Sequence, residues 1–253
     1  MKQNVLVTAG AGGIGLEIVK AFAALGAKVF VCDINTEALG KLEKEVPGGS
    51  TTVCDVSNRS DVEKMVTLCA ETLGGIDVLV NNAGISGPTS SVEEMDLDQW
   101  EKVMQVDLNG TFYVTRMAIP HLKKSKSGVI INMSSVAARF GYENRSPYST
   151  AKWGIIGFTK TLSIELGKYG IRANAILPGA VEGPRINQVL VGRARVNQTT
   201  LEQERENALS VQSMKQFVDP KDIAALAVFL ASDSAKMISG QMLPIDGDMQ
   251  KAS

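Results

Sequence analysis

The sequence has one histidine and three cysteines among 253 residues, and both scarcities exclude classes of site. His121 alone cannot supply a metal site of several histidines, so we expect no metal. A Ser-His-Asp triad would have to use this residue. It follows a run of helical residues and precedes two lysines, where a positive side chain suits a helix C-terminus, so we interpret it as structural. The odd number of cysteines, without a Cys-x-x-Cys spacing, is typical of reduced packing residues in a cytoplasmic protein.

Charge excess and long apolar runs are also missing. The formal net charge is −1 and the sequence pI is about 6.0, so we expect neither a nucleic-acid nor a membrane partner. No apolar run approaches the roughly 18–20 residues that span a bilayer, and the N-terminus lacks a signal-peptide pattern. A chain that is 44% hydrophobic and 21% charged is typical of one globular domain with a sizeable core.

Short apolar runs alternate with helical periodicity along the first 80 residues. The order β-α-β-α-β-α-β predicts a parallel, doubly wound sheet with right-handed crossovers. Ligands bind such sheets beyond the carboxyl ends of the strands. Small or polar residues lie at five predicted strand ends, which predicts a binding site there: Thr8–Gly15, Asp33, Asp55, Asn81–Gly84 and Ser135.

The first predicted strand, residues 4–8, leads into Ala-Gly-Ala-Gly-Gly-Ile-Gly and then into a helix from about Gly13 to near Gly26. Gly10, Gly12 and Gly15 fit a Gly-x-Gly-x-x-Gly pattern in its proper strand, turn and helix context. The backbone could then approach a pyrophosphate at the helix N-terminus. The alternative is a glycine-rich turn that serves only close helix–strand packing.

Asp33 ends the second predicted strand, residues 28–32, eighteen residues after Gly15. An acidic residue there can accept hydrogen bonds from the 2′-OH of an adenosine ribose and would repel a 2′-phosphate. No lysine or arginine follows at once, so the sequence favours NAD over NADP. The alternative is that Asp33 or Asn35 caps the next helix.

Ser135, Tyr148 and Lys152 form the candidate catalytic group. Ser135 follows the apolar run 129–133, and Tyr148 and Lys152 are four residues apart, on one face of a predicted helix. A phenol with its ordinary pKa near ~10 is a poor base at neutral pH, but a fixed cation beside it favours the phenolate. Tyr148 is therefore a candidate general acid/base, and Ser135 could hold the reacting oxygen. Taken alone, Tyr-x-x-x-Lys is a weak signal and favours a tyrosine and a solvated lysine at the surface.

Together these motifs resemble the short-chain dehydrogenase/reductase family over essentially the whole chain. The residues that carry the resemblance occur in order: Thr8, Gly13, Gly15, Asp33, Asp55, Asn81-Asn82-Ala83-Gly84, Ser135, Tyr148, Lys152 and Pro178-Gly179. The resemblance implies an α/β, Rossmann-type, doubly wound sheet of seven parallel strands with helices on both faces, in a single domain over 1–253. It also implies a homotetramer, with the long helices at about 97–124 and 148–168 between subunits.

The resemblance also implies roles for individual residues. Tyr148 becomes the acid/base, Lys152 lowers the pKa of that phenol and holds the nicotinamide ribose, and Ser135 orients the substrate. The residues implied to contact NAD are Gly10, Gly12, Gly13, Ile14, Gly15, Asp33, Asp55, Val56, Asn81, Ala83, Gly84, Tyr148, Lys152, Pro178, Gly179 and Val181.

Three positions depart from the family pattern. Ala9 replaces the first glycine of the cofactor loop, and Gly183 replaces a threonine that often contacts the cofactor. Asp107 stands where the family has a catalytic asparagine, whose backbone carbonyl is thought to hold a water of the proton relay. Asp107 could still supply that carbonyl, while its carboxylate could disturb Lys152.

Residues 183–218 are polar and irregular and lie between the sixth strand and the helix predicted at 220–231, which favours a substrate lid. Arg145 and Arg185 suit a substrate carboxylate, although surface or intersubunit ion pairs would explain them too. The sequence thus predicts an NAD-dependent dehydrogenase acting on a secondary alcohol of a small polar molecule, such as a hydroxy acid, sugar acid or polyol. The alternatives are an NADPH-dependent 3-oxoacyl-thioester reductase and a nucleotide-sensing protein without turnover.

Overall fold

The structure is a computed structural model of the chain, and it describes residues 3–125 and 127–251. Seven parallel strands form one sheet, as the family resemblance implies. The strands are β1 Asn4–Thr8, β2 Lys28–Asp33, β3 Ser50–Val53, β4 Val78–Asn81, β5 Val129–Met133, β6 Arg172–Pro178 and β7 Met242–Ile245. Their order in the sheet is β3-β2-β1-β4-β5-β6-β7.

Helices cover both faces of the sheet. They are α1 Gly13–Ala24, α2 Thr36–Glu45, α3 Arg59–Leu73, α4 Leu97–Val103, α5 Gly110–Leu122, α6 Ser146–Gly167, α7 Pro184–Asn197, α8 Leu201–Ser210 and α9 Pro220–Ala231. One core layer packs α1, α2 and α9 against the sheet, and the other packs α3, α5 and α6. Within the ranges given above, no helix is both long and apolar enough to cross a bilayer.

The strand order reverses at β1, which pairs with β2 on one side and with β4 on the other. In an open α/β sheet the crevice at such a switch point is the usual ligand site. The loops after β1 and β4 therefore meet there, and the loops after β5 and β6 continue the same edge of the sheet.

Two segments differ from the sequence-based expectation. The long helix expected at 97–124 is divided into α4 and α5 by a π-helical segment, Met104–Asn109, close to the interruption that the periodicity indicated. The expectation of irregular structure across 183–218 is wrong, because α7 and α8 occupy most of it. Thr200 begins α8 with a capping box to Gln203, and Val189 and Leu190 supply the buried side of α7.

A buried polar network ties the centre of the sheet to the helices. The Asn81 side-chain amide donates to Thr115 Oγ1 on α5 and to Asn132 Oδ1 on β5, both at 2.8 Å. Asn132 Nδ2 donates to Thr159 Oγ1 on α6 at 2.9 Å. Asn132 is fully buried, so its loss would leave polar partners away from water.

We predict that Asn132→Ala lowers the free energy of unfolding by about 3 kcal/mol, since Asn81 and Thr159 each lose one buried hydrogen bond. Urea denaturation followed by circular dichroism measures the change. Asn207→Ala, at an exposed position of α8, is the matched control, and its free energy of unfolding should stay within roughly 0.5 kcal/mol of the wild-type value. An equal loss in both variants would contradict the structural role of the network.

Candidate active site

A cavity of about 350 Å³ opens at the carboxyl ends of the central strands. Its wall comes from the β1–α1 loop, the loops after β4, β5 and β6, and helices α6 and α7. Most of the residues that the sequence singled out share this wall: Gly12, Gly13, Ile14, Gly84, Ser135, Arg145, Tyr148, Lys152, Pro178, Gly179, Val181 and Arg185.

The glycines of the β1–α1 loop divide into two kinds. A Cβ on Gly15 would lie 2.3 Å from the Ala9 carbonyl oxygen, and one on Gly10 would lie 2.7 Å from a Val31 methyl. Gly10 and Gly15 therefore serve close packing between helix and strand, which was the alternative explanation for the glycines of this loop. A Cβ on Gly12 or Gly13 would meet no atom within 4 Å, and both residues line the cavity. The loop therefore keeps open space at the N-terminus of α1, where an anionic group is favoured.

Ala9, the departure from the family loop, adopts a left-handed backbone conformation with φ of +48°. Asn82 stabilises this turn by donating to the carbonyl oxygens of Thr8 and Ala9, at 3.1 and 2.9 Å. The Thr8 hydroxyl in turn accepts from the backbone N–H groups of Asn82 and Ala83. Asn82 also lines the cavity; the sequence placed it in the binding segment Asn81–Gly84 but assigned it no contact of its own.

Asp33 is the last residue of β2 and lies beside the β1–α1 loop. One carboxylate oxygen accepts from the Ala11 N–H at 3.2 Å, and the other accepts from the Asn35 N–H at 3.0 Å. The cap of α2 is Asn35, whose side chain accepts from Ala38 at 3.0 Å. The helix-capping alternative for Asp33 therefore fails, and the carboxylate remains half-buried beside the glycine loop.

The other predicted cofactor residues lie outside the cavity wall. Asp55 is exposed and accepts from the backbone and hydroxyl of Ser57, whereas Val56 is buried against Gly110. The side chain of Asn81 lies in the buried network and Ala83 packs against the core, so cofactor contacts from these four residues stay predictions.

Lys152 lies almost fully buried, and its ammonium is held from two sides. Lys152 Nζ lies 3.2 Å from the Asp107 carboxylate and donates to the Met133 carbonyl oxygen at 3.2 Å. It also lies 5.5 Å from the centre of the Tyr148 ring. The second Asp107 oxygen accepts from the Ile85 N–H at 2.7 Å, so the carboxylate is itself fixed. The chain thus holds a cation beside the Tyr148 phenol.

The Asp107 pair requires space and an unusual backbone. Asp107 lies in the π-helical segment, and its backbone carbonyl accepts from the Thr111 hydroxyl at 2.9 Å. A Cβ on Gly84 would come within 3.1 Å of the carboxylate and 3.2 Å of the Lys152 ammonium. The glycine therefore leaves room for the ion pair as well as for the cavity.

The two serines after β5 have different surroundings. Ser134 donates to the Lys152 carbonyl oxygen at 2.8 Å and so fastens the strand end to α6. Ser135 accepts from the Ala137 N–H at 3.2 Å, and its hydroxyl hydrogen has no partner in the hydrogen bonds of the described ranges. Ser135 can therefore donate to an oxygen in the cavity.

The far end of the cavity is basic and aromatic. Arg145 is buried against Tyr142 and Tyr148, and burial lowers the pKa of its guanidinium. Arg193, also buried, lies over Tyr142 and donates to its hydroxyl. The sequence analysis missed Tyr142 and Arg193, since arginines on a polar helix ordinarily lie at the surface. Among residues 3–125 and 127–251, no group of acidic, histidine or cysteine side chains could hold a metal ion.

The fold and the glycine-lined cavity at its switch point define a Rossmann-type dinucleotide-binding protein. The sequence model described as enoyl-(acyl carrier protein) reductase matches residues 9–250. D-beta-hydroxybutyrate dehydrogenase of Cupriavidus necator is 36% identical over 250 residues, which cover 97% of this chain and 96% of that protein.

Two solved structures are similar throughout. NAD⁺-bound xylitol dehydrogenase has a TM-score of 0.92 at 29% identity and covers 96% of this chain and 97% of its own. Actinorhodin polyketide ketoreductase with NADPH has a TM-score of 0.93 at 31% identity, with 97% and 96% covered. The chain belongs to the short-chain dehydrogenase/reductase family, and it is an oxidoreductase of the class that acts on CH–OH groups.

We predict that Asp107→Asn lowers the free energy of unfolding by about 3 kcal/mol, because it leaves the buried Lys152 ammonium without its counter-charge. Urea denaturation measures the change. The control is Glu37→Gln, which breaks the exposed ion pair to Lys41 and should cost less than about 1 kcal/mol. In a Lys152→Met background the Asp107→Asn cost should shrink. An unchanged cost there would show that the pair is not its source.

Proposed function

We propose that the protein is an NAD-dependent dehydrogenase that interconverts a secondary alcohol and a ketone on a small polar substrate. The buried Lys152 ammonium beside the Tyr148 ring, in one cavity with Ser135 and the open glycine loop, is the observation that carries the proposal. Rigid support on several sides is what a general acid/base and its activating cation require.

Bound NAD would accept hydride from the carbinol carbon of the substrate. Tyr148, as phenolate, takes the hydroxyl proton while Ser135 donates a hydrogen bond to the same oxygen. The Lys152 ammonium stabilises the phenolate by its charge. In the opposite direction Tyr148 returns the proton to the carbonyl oxygen.

The residues present suit the dinucleotide. Gly12 and Gly13 leave space for a pyrophosphate at the N-terminus of α1. The Asp33 carboxylate would accept from the adenosine ribose and disfavour a 2′-phosphate. The first lysine of α2, Lys41, is exposed and lies 2.7 Å from the Glu37 carboxylate, which partly offsets its charge and favours NAD over NADP.

Three further features belong to the proposal. Segment 183–218, with α7 and α8, acts as the substrate lid, since Arg185, Val189, Arg193 and Ala208 line the cavity. Exposed apolar side chains on α5 and α6 support a homotetramer, among them Phe112, Trp153 and Ile164. The three free, buried cysteines support a cytoplasmic location.

A 3-oxoacyl-thioester reductase using NADPH is the second candidate. The similarity to a polyketide ketoreductase with NADPH favours it, whereas Asp33 opposes it. A nucleotide-sensing protein without turnover has less support, since Ser135, Tyr148 and Lys152 are all present.

We expect Tyr148→Phe to lower kcat at least about 100-fold, because it removes the proton donor and acceptor. The assay follows NADH formation across a panel of hydroxy acids, sugar acids and polyols. Tyr169→Phe, on an exposed ring, is the control and should retain activity. Retention of most activity in Tyr148→Phe would refute the acid/base assignment. Tight NAD binding without turnover of any alcohol would favour the sensing protein.

The Asp33 assignment predicts that the wild type binds NADH at least about tenfold more tightly than NADPH, the preference expected from one charge-assisted contact. Asp33→Asn keeps an acceptor oxygen but loses the charge, so this preference should largely disappear. Fluorescence titration with both nucleotides measures it. Asp61→Asn, the same charge change on α3, is the control. Equal binding of NADH and NADPH by the wild type would refute the assignment of Asp33 to the adenosine ribose.

A further inference from the structure

Three arginines surround the aromatic end of the cavity. The guanidinium carbons of Arg145 and Arg185 lie 5.4 and 5.9 Å from the centre of the Tyr148 ring. The guanidinium carbon of Arg193 lies 5.4 Å from the centre of the Tyr142 ring, and the two ring centres are 6.5 Å apart. Two positive charges thus lie against the ring of the candidate catalytic Tyr148, and a third lies over the neighbouring Tyr142 ring.

Within the described ranges, no carboxylate oxygen lies within 4.0 Å of a guanidinium nitrogen of Arg145, Arg185 or Arg193. The other charges of the cavity wall are paired, because Lys152 meets Asp107 at 3.2 Å and Glu182 meets Arg205 at 2.9 Å. The charge of Arg193 acts on the Glu204 carboxylate, but the two groups form no ion pair. This carboxylate accepts from the Thr199 hydroxyl and the Asn197 amide, and these bonds and Arg193 lower its pKa.

The cluster is electrostatically costly as it stands. Burial lowers the pKa of Arg145 most, the two tyrosines raise it, and the charges of Arg193 and Arg185 lower it further. Arg145 donates to the Ser86 carbonyl oxygen and, at 3.5 Å, to the Thr89 hydroxyl, while its buried Nε has no hydrogen-bond partner. An anion in the cavity would offset this repulsion.

The three guanidinium groups differ in what they can offer a ligand. Arg185 is exposed on the first turn of α7 and makes no hydrogen bond in the described ranges, so its fork is available for direct contact. Arg145 and Arg193 are buried and partly occupied, so they contribute chiefly fixed positive charge. The N-terminus of α7, whose first residues line the cavity, adds a dipole of the same sign.

We infer that Arg145, Arg185 and Arg193 form the binding site for a carboxylate of the substrate, which is therefore a small hydroxy acid and its oxo acid. This inference rests on the proposed function and selects one of its substrate classes. Because Arg145 and Arg185 adjoin the Tyr148 ring, the inference places the carboxylate only a few bonds from the carbon that exchanges hydride. A neutral polyol would leave the three charges uncompensated.

Binding of unreactive acids to the NADH complex tests the site without chemistry. The probes are acetate, butyrate and benzoate, each compared with its neutral amide, with dissociation constants from quenching of NADH fluorescence. We expect at least one acid to bind about tenfold or more tightly than its amide, as for one hydrogen-bonded charge. Arg185→Gln and Arg193→Gln should abolish that difference, and Arg193→Lys should restore part of it.

Arg195→Gln is the matched control, since Arg195 is an exposed arginine on α7 that does not line the cavity. Thermal melting verifies that every variant is folded, and exposed Arg185 keeps the test valid if a change at buried Arg193 is not tolerated. Equal binding of all acids and amides overturns the inference. An Arg195→Gln effect on the acid–amide difference as large as that of the other two variants also overturns it. So does a loss of NADH affinity in Arg185→Gln and Arg193→Gln as large as their loss of acid affinity, because it would assign both arginines to the cofactor phosphates.

The readout separates this inference from the proposed function. Tyr148→Phe should bind the acids as the wild type does, because binding requires no proton transfer. Acid-selective binding without turnover of any alcohol would uphold the anion site and refute the dehydrogenase. Turnover of neutral alcohols, with no acid bound more tightly than its amide, would uphold the dehydrogenase and refute the anion site.

Discussion

The site depends on keeping one ammonium charged inside the protein. Removing such an ion from water costs several kcal/mol unless a fixed counter-charge and further hydrogen bonds compensate it. For Lys152 the compensation comes from Asp107 and the Met133 carbonyl, and Ile85 fixes the carboxylate in turn. The π-helical segment brings Asp107 into place, and Gly84 leaves room for the pair. The π-helical segment and Gly84 thus both serve to accommodate the charge of Lys152.

The cavity has two ends of different electrostatic character. Around the glycine loop, backbone groups and the half-buried Asp33 carboxylate set the surroundings, and Lys41 on α2 is already paired. Around Tyr148, cationic side chains dominate. Tyr148 stands at the cationic end, and Lys152 adds a further positive charge beside its ring.

The sequence predicts the sheet well because each parallel strand is a short apolar run ended by small or polar residues, as in 4–8 and 129–133. It predicts α7 and α8 poorly, because their polar composition hides a narrow buried side at Val189 and Leu190. The burial of Arg193 depends on Tyr142, 51 positions earlier, which no local pattern reveals. Asp107 was marked as a departure from the family, but the ion pair depends on a π-helical backbone that periodicity indicates only as an interruption.

The attachment of α7 and α8 has an evolutionary consequence. Beyond the covalent chain, backbone bridges join this region to the rest at Val181 with Val218 and at Gln212 with Met249. Its side chains form one wall of the cavity, whereas Ser135, Tyr148 and Lys152 stand on β5 and α6. Mutations in the helical pair can therefore accumulate without disturbing the proton-transfer apparatus. A lineage could acquire new chemical selectivity by diversifying this one segment while inheriting the reaction unchanged.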